Sequence, residues 1–348
     1  MTTKMRAVKY RYLENDNIPE AELVEIEKPE IKKGDEVLIK ILNVAICGTD
    51  VNALRNPPAF NFVEGVTVGH ECCGIVEAVG EEVTNCKVGD KVVVHPNIWC
   101  GKCPNCRIGK INLCQNFRHI GDRIDGAMAD YLCIEERMVY VIDSKVPGHI
   151  AALAEPLACV LNGTTTVRSH PGDEVLVIGA GPIGLLFTML YKAMGAHVTV
   201  SEPQAKRQQA ALDCGADKVV NPIEQDVREA VKEYAPEGFD IVAEAVGSQM
   251  GTAIDLAKFG GKIAAFGVNQ IVEPKIHQYG ITLKELTIQG TYITKGTFPR
   301  AVKIIENGLI PIERIVSRVV PVEELMPSIS AMAKGEANKI VVEISKEA

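Results

Sequence analysis

Glu174 to Glu202 reads EVLVIGAGPIGLLFTMLYKAMGAHVTVSE, and the order of residue types in it decides the fold of half the chain. Val175 to Ile178 is a short apolar run of strand character, and Gly179, Gly181 and Gly184 follow at G-x-G-x-x-G spacing. Each glycine answers a different need: Gly179 a tight turn, Gly181 bare backbone against a pyrophosphate, Gly184 close contact between helix and strand. The helix that opens at Pro182 and Ile183 offers free N–H groups to an anion. Leu186 and Leu190 continue its apolar stripe, and Gly195 is placed to end it. His197 to Ser201 reads as the next strand. Glu202, 23 residues after Gly179, can accept hydrogen bonds from an adenosine ribose and repel a 2′-phosphate, which favours NAD over NADP. Lys206 and Arg207, just beyond, are either a solvated helix face or partners for that phosphate.

Working outward from this stretch, the α/β rhythm continues. Helical patterns at 205–213, 226–234, 251–258 and 301–306 alternate with strand patterns at 218–220, 239–243, 262–267 and 287–290, so a mostly parallel sheet is expected. Gly247, Ser248, Gly267 and Val268 fall in loops after strands, where the nicotinamide end of a dinucleotide could touch backbone. Strand patterns at 316–319 and 339–344 flank a helical one at 322–332. Their return after the α/β block is explained if the C-terminus rejoins an N-terminal domain, with the active site in the cleft between domains.

The chain has 348 residues, enough for two domains, and a formal net charge of −8 with no dense Lys/Arg block, which argues against nucleic acid. No signal-peptide core stands in residues 1–13, and no apolar run reaches the ~18 residues of a membrane span. A cytoplasmic location is expected.

The first half is strand-rich, with candidates at 6–12, 21–27, 36–44, 71–80, 89–95 and 132–134. Two loops in it carry ligand chemistry: Cys47-Gly48-Thr49-Asp50 and Val68-Gly69-His70-Glu71. Thiolate, imidazole and carboxylate all suit zinc, and Glu71 is read as a direct ligand, an outer-shell group or an exchanging one. Glu155, a carboxylate within Leu153-Ala154-Glu155-Pro156-Leu157-Ala158, is costly to bury unless paired, protonated or metal-bound.

Cys100, Cys103, Cys106 and Cys114 occupy 15 residues, spacing that fits a closed four-thiolate zinc site pinning an irregular loop. An iron–sulfur cluster is disfavoured because no second cysteine group accompanies it. Cys72, Cys73 and Cys86 are read as small packing residues.

Taken jointly, Cys47-Gly48-Thr49-Asp50, Gly69-His70-Glu71, the four-cysteine lobe, Glu155-Pro156 and Gly179-Ala180-Gly181-Pro182-Ile183-Gly184 resemble the zinc-containing medium-chain alcohol and polyol dehydrogenase family over essentially the whole chain. The resemblance implies an α/β protein with a GroES-like catalytic domain at 1–158 and 296–348 and a Rossmann domain with a doubly wound parallel sheet at 159–295, assembled as a homodimer or homotetramer. It implies one catalytic zinc held by Cys47 and His70, with Glu71 and Glu155 as alternative carboxylate ligands, and one structural zinc. Glu155 stands where plain alcohol dehydrogenases often carry cysteine, which moves the comparison toward the sorbitol and threonine dehydrogenase branch. Two departures are visible. Asn52 stands where a histidine commonly relays the proton, and the Arg-Tyr pair of sorbitol dehydrogenases is missing around Tyr292.

The expected reaction is oxidation of a secondary alcohol in a polyol, sugar or cyclitol. Zinc would lower the pKa of the substrate hydroxyl, Thr49 would relay its proton, and NAD would take the hydride. An amino-alcohol dehydrogenase acting at C3 of threonine, a dehydrogenase of another alcohol and a nonenzymatic NAD-binding protein are the alternatives.

Overall fold

A computed structural model describes residues 3–12, 18–59 and 61–346. Most of the polar loop expected between the first two strands lies outside these residues, as do both ends of the segment 1–13. The chain divides into two compact units: Met1–Pro156 with Phe298–Asn307 and Val316–Ala348, and Leu157–Thr297 with Gly308–Ile315. The segment 308–315, expected with the first domain, packs instead in the second, where Ile312 and Ile315 are buried.

In the second unit six strands form one sheet in the order 218–220, 197–201, 174–178, 239–244, 257–265, 287–290, and every pairing is parallel. Glu174–Ile178 lies in the middle, and the chain runs from it first toward one edge and then toward the other. The loops following 174–178 and 239–244 therefore part at their carboxyl ends, the switch point where such sheets bind ligands. Val175, Leu176 and Val177 are wholly buried, as a strand covered on both faces requires. Gly179 has φ +93°, and a Cβ on Gly184 would come 1.8 Å from the Gly179 carbonyl oxygen. The helix Pro182–Ala193 can approach the strand only because that position is bare. The strand Ala257–Ala265 starts inside the stretch expected to be helical, because the preceding helix stops at Leu256.

In the first unit the sheet runs 316–321, 339–343, 36–45, 71–79, 91–94, 139–141, with 131–135 also on 36–45. The two C-terminal strands thus complete the N-terminal sheet: Val341 pairs with Ala45 and Val342 with Val44. Hairpins 4–12/19–27 and 97–98/118–119 stand apart from that path. Among the described residues no helix is long and apolar enough to cross a membrane.

Candidate metal centre and cofactor cleft

The register between 36–45 and 71–79 builds the first site. Ala45 lies opposite Glu71, so Cys47, just past the end of one strand, and His70, just before the start of the other, come together although 23 positions separate them. Cys47 caps the helix Gly48–Leu54, where its N–H donates to Asp50 Oδ2 at 2.9 Å. Asp50 is buried, and burial raises its carboxyl pKa. Ligand atoms of Cys47, His70 and Glu71 all lie within 4.8 Å of one another. Donors around a tetrahedral zinc are roughly 3.3–3.8 Å apart, so small side-chain movements would close a shell. Nδ1 of His70 is buried without a protein partner, as expected of an atom whose partner is an ion. Burial pushes the Cys47 thiol well up; Glu71 adds to the shift and Lys339 opposes it. A divalent cation favours the thiolate. The residues fit a metal ion.

Glu71 is not a free ligand. Both its oxygens accept from Lys339 Nζ at 2.8 Å, and the two side chains are 1% and 3% exposed. Glu155 lies buried at the start of the helix Ala154–Thr166. It stands outside the 4.8 Å group, yet its charge acts on both Cys47 and Lys339. The Cys47 thiol reaches Thr49 Oγ1 at 3.5 Å, which puts a hydroxyl beside the candidate ligand sulfur. Lys339 went unnoticed in the sequence because a lysine in an apolar strand 268 positions from its partner leaves no local pattern.

A second polar group adjoins this site. Asn97 pairs across its short ribbon with His119, whose ring centroid is 4.8 Å from that of His70. Residues opposite each other in a ribbon project to one face, so Asn97 stands one side chain removed from His70. Its amide nitrogen and oxygen are both buried without protein partners, as is Nε2 of His95. The His95 Nδ1 accepts the Asn97 backbone N–H at 3.1 Å. Its proton is therefore on Nε2 in the neutral ring, and burial holds the pKa down at about 4.

Cys100, Cys103, Cys106 and Cys114 form the other tight group of ligand atoms among the described residues, and none is in a disulfide. Cys103 Sγ and Cys114 Sγ are 4.0 Å apart. The Cys103 N–H donates to Cys100 Sγ and the Cys100 N–H to Cys114 Sγ. Backbone N–H groups of Lys102 and Cys103 pull the Cys100 thiol down to about 6, while burial pushes Cys106 up to about 12. Cys72 and Cys73 are buried in the sheet and belong to neither group of ligand atoms.

In the second unit a cleft of about 800 Å³ opens at the switch point, lined by Gly179, Gly181, Glu202 and Arg207 among others. Glu202 is buried, with one oxygen accepting the Ala180 N–H at 2.8 Å and the other the Gln204 N–H at 2.9 Å. Arg207 Nε is buried with no protein partner. Pro182, Ile183, Gly184, Gly247, Gly267 and Val268 are not on this wall. Gly247 and Gly267 instead touch each other, since a Cβ on Gly267 would come 2.0 Å from the Gly247 nitrogen. Val268 is largely exposed. Glu244 is a further buried carboxylate, which accepts the N–H groups of Val246, Gly247 and Gln249 and so shapes that loop. An acid closing the apolar run FDIVAE was its only sign in the sequence.

Comparison with known proteins agrees with this geometry. Residues 33–144 match the alcohol dehydrogenase GroES-like domain and residues 182–307 the zinc-binding dehydrogenase domain. Sorbitol dehydrogenase of Bacillus subtilis is 30% identical, with 94% of this chain and 95% of that protein covered. L-threonine 3-dehydrogenase of Stenotrophomonas maltophilia is 33% identical, over 88% of this chain and 92% of that one. A zinc-binding dehydrogenase of Sinorhizobium meliloti, solved bound to NADP, superposes with a TM-score of 0.90 at 32% identity, covering 98% of this chain and 100% of that one.

Proposed function

The chain belongs to the zinc-dependent medium-chain dehydrogenase family, and from that premise we propose that it oxidises a secondary alcohol of a polyol, sugar or cyclitol, with NAD as hydride acceptor. The observation that carries the reading is the convergence of Cys47, His70 and buried Glu71, with the charge of buried Glu155 also acting on Cys47. When bound, zinc supplies Lewis acidity that lowers the pKa of the substrate hydroxyl, and the nicotinamide supplies the hydride-accepting carbon. Cys47, His70 and Glu155 would hold the metal, and Thr49 would pass the hydroxyl proton toward solvent, because Asn52 cannot titrate near neutral pH.

The polyol reading is supported by the polar groups around His119, whose ring neighbours that of His70. An alcohol with an apolar body would leave the Asn97 amide and His95 Nε2 unpaired, at about 1–3 kcal/mol for each buried group. A hydroxyl beside the reacting carbon donates to one and accepts from another, which supports a polyol over a simple alcohol. Threonine would require partners for both a carboxylate and an ammonium group, and Lys339, the cation whose charge acts on Cys47, already spends its three donors on Glu71 and Ile46.

Glu202 supports NAD. Each oxygen holds one backbone N–H, which leaves lone pairs for ribose hydroxyls and a charge that repels a 2′-phosphate. A second reading, NADP, is favoured by Arg207 Nε in the same cleft and by the NADP-bound relative. The four cysteines are assigned a structural zinc. A homodimer or homotetramer is supported by the strand Thr287–Gly290, which ends the sheet with all four residues exposed beside exposed Tyr279 and Leu283. Such an edge is a template for a second copy.

The test is NAD and NADP reduction across polyols, cyclitols, threonine and simple alcohols, with zinc measured on the same preparation. Turnover of simple primary alcohols alone would refute the polyol assignment. Nucleotide binding without turnover of any alcohol by zinc-loaded protein would refute the enzyme.

A further inference from the structure

The ion pair between Glu71 and Lys339 sits where two cations compete for one carboxylate. Lys339 Nζ has three N–H donors, and three acceptors take them: Glu71 Oε1 and Oε2, each at 2.8 Å, and the Ile46 carbonyl at 3.0 Å. Its partners adjoin the ligands in sequence, since Ile46 precedes Cys47 and Glu71 follows His70. The backbone reinforces the clamp, because the Ile46 N–H donates to the Ile340 carbonyl at 2.9 Å. One buried ammonium thus spans the two chain segments that bring the thiol and the imidazole together. It also turns both oxygens of Glu71 toward itself, although that carboxylate is within 4.8 Å of the Cys47 and His70 ligand atoms.

Resting on the zinc reading above, we propose that Lys339 is a positioning residue that decides which carboxylate serves the metal. It holds Glu71 off the ion and leaves the third protein position to Glu155. A buried carboxylate stripped of its cation must be neutralised or find another. The nearest other is the metal, so removing the ammonium should send Glu71 onto it. That raises the ligand number and fills the position the substrate oxygen needs.

Cobalt(II) loaded at the Cys47 site, with zinc kept in the cysteine lobe, reports ligand number through its visible absorption, because band position and intensity follow geometry. In Lys339→Met the bands should weaken and shift toward five-coordination, loss of the ion to a chelator should slow at least tenfold, and kcat should fall more than KM. Lys339→Arg should keep the wild-type bands. The double variant Glu71→Gln/Lys339→Met, which removes both charges and so spares the fold a lone buried one, should regain them. Glu71→Gln alone should leave the bands unchanged, because Glu71 is not a ligand while Lys339 holds it, whereas Glu155→Gln should alter them. Altered bands in Glu71→Gln, or wild-type bands and chelation rate in Lys339→Met, would overturn the proposal even if that variant melts lower. Cobalt that never reaches Cys47 in the wild type would overturn the zinc reading together with it, so the two failures are told apart.

Discussion

His95 should make this protein lose stability as the pH falls through the range just below neutral. Its ring is 2% exposed, packed between the rings of Trp99 and Phe298. Burial, helped by neighbouring His119, lowers its pKa from 6.5 to about 4. The unfolded chain takes up a proton near pH 6.5, whereas the folded chain resists until about pH 4, so the unfolded state binds more protons in between. Stability from this group is therefore complete above pH 6.5 and is lost as the pH falls toward 4. At about 1.36 kcal/mol per pKa unit the full loss is roughly 3 kcal/mol, of which about 2 kcal/mol is gone by pH 5.

Urea unfolding of the wild type and His95→Gln at pH 7.5 and 5.0 measures it. Other groups titrate in both proteins, so the difference between the two pH-dependent losses isolates His95. The wild type should lose about 2 kcal/mol more than the variant over that range. A direct check is the Cε1–H resonance of His95 in histidine-labelled protein, which should stay at its neutral position down to pH 5. Parallel losses in the two proteins, or a resonance titrating near 6.5, would refute the argument.

Other expectations follow from single contacts. Glu202→Ala removes a hydrogen-bonding carboxylate from the cleft, and a bond to a charged group contributes about 1.5–3 kcal/mol. The KM ratio of NADP to NAD should fall by about 10- to 100-fold, and an unchanged ratio would remove Glu202 from ribose recognition. Gly184→Ala forces a Cβ to 1.8 Å from the Gly179 carbonyl; calorimetry should show a clear drop in Tm and equilibrium dialysis a loss of dinucleotide binding, and a variant indistinguishable from wild type in both would mean that the helix does not need to pack so closely. Metal release from the cysteine lobe by a mercurial should expose 101–113 to proteolysis while dinucleotide still binds. Equal cleavage before and after release would mean that the lobe holds its shape by packing alone.

What the sequence disclosed and what it hid divide by range. The glycine turn, the acid that ends the second strand and the four-cysteine lobe are local, because each chemical need is met within about thirty residues, and their spacing carries the geometry. Cys47 and His70 come from separate loops, yet their flanking residues mark them. Glu71 could be seen but not placed, because its partner lies on a strand that returns near the end of the chain. The boundaries also escaped: Ala257 joins its strand where helical periodicity was still running, and Gly308–Ile315 leaves the N-terminal unit because buried Ile312 and Ile315 pack against the other core.

The returning C-terminal segment has a reason beyond completing a sheet. Strand 339–343 is buried at four of its five positions, and an aliphatic residue at 339 would serve packing as well as the others do. A lysine there must give up most of its hydration and bind every donor to a fixed acceptor, which is unfavourable unless the acceptors already need a cation. Glu71 and the Ile46 carbonyl are such acceptors because the pairing of Ala45 with Glu71 brings their chain segments together. Fold and site thus share one contact: the strand that joins 316–321 to 36–45 in the first unit's sheet also carries the charge paired with Glu71. A chain lacking 339–343 would lose sheet pairing and the partner of a buried carboxylate in one step, and its metal affinity and its stability should fall together.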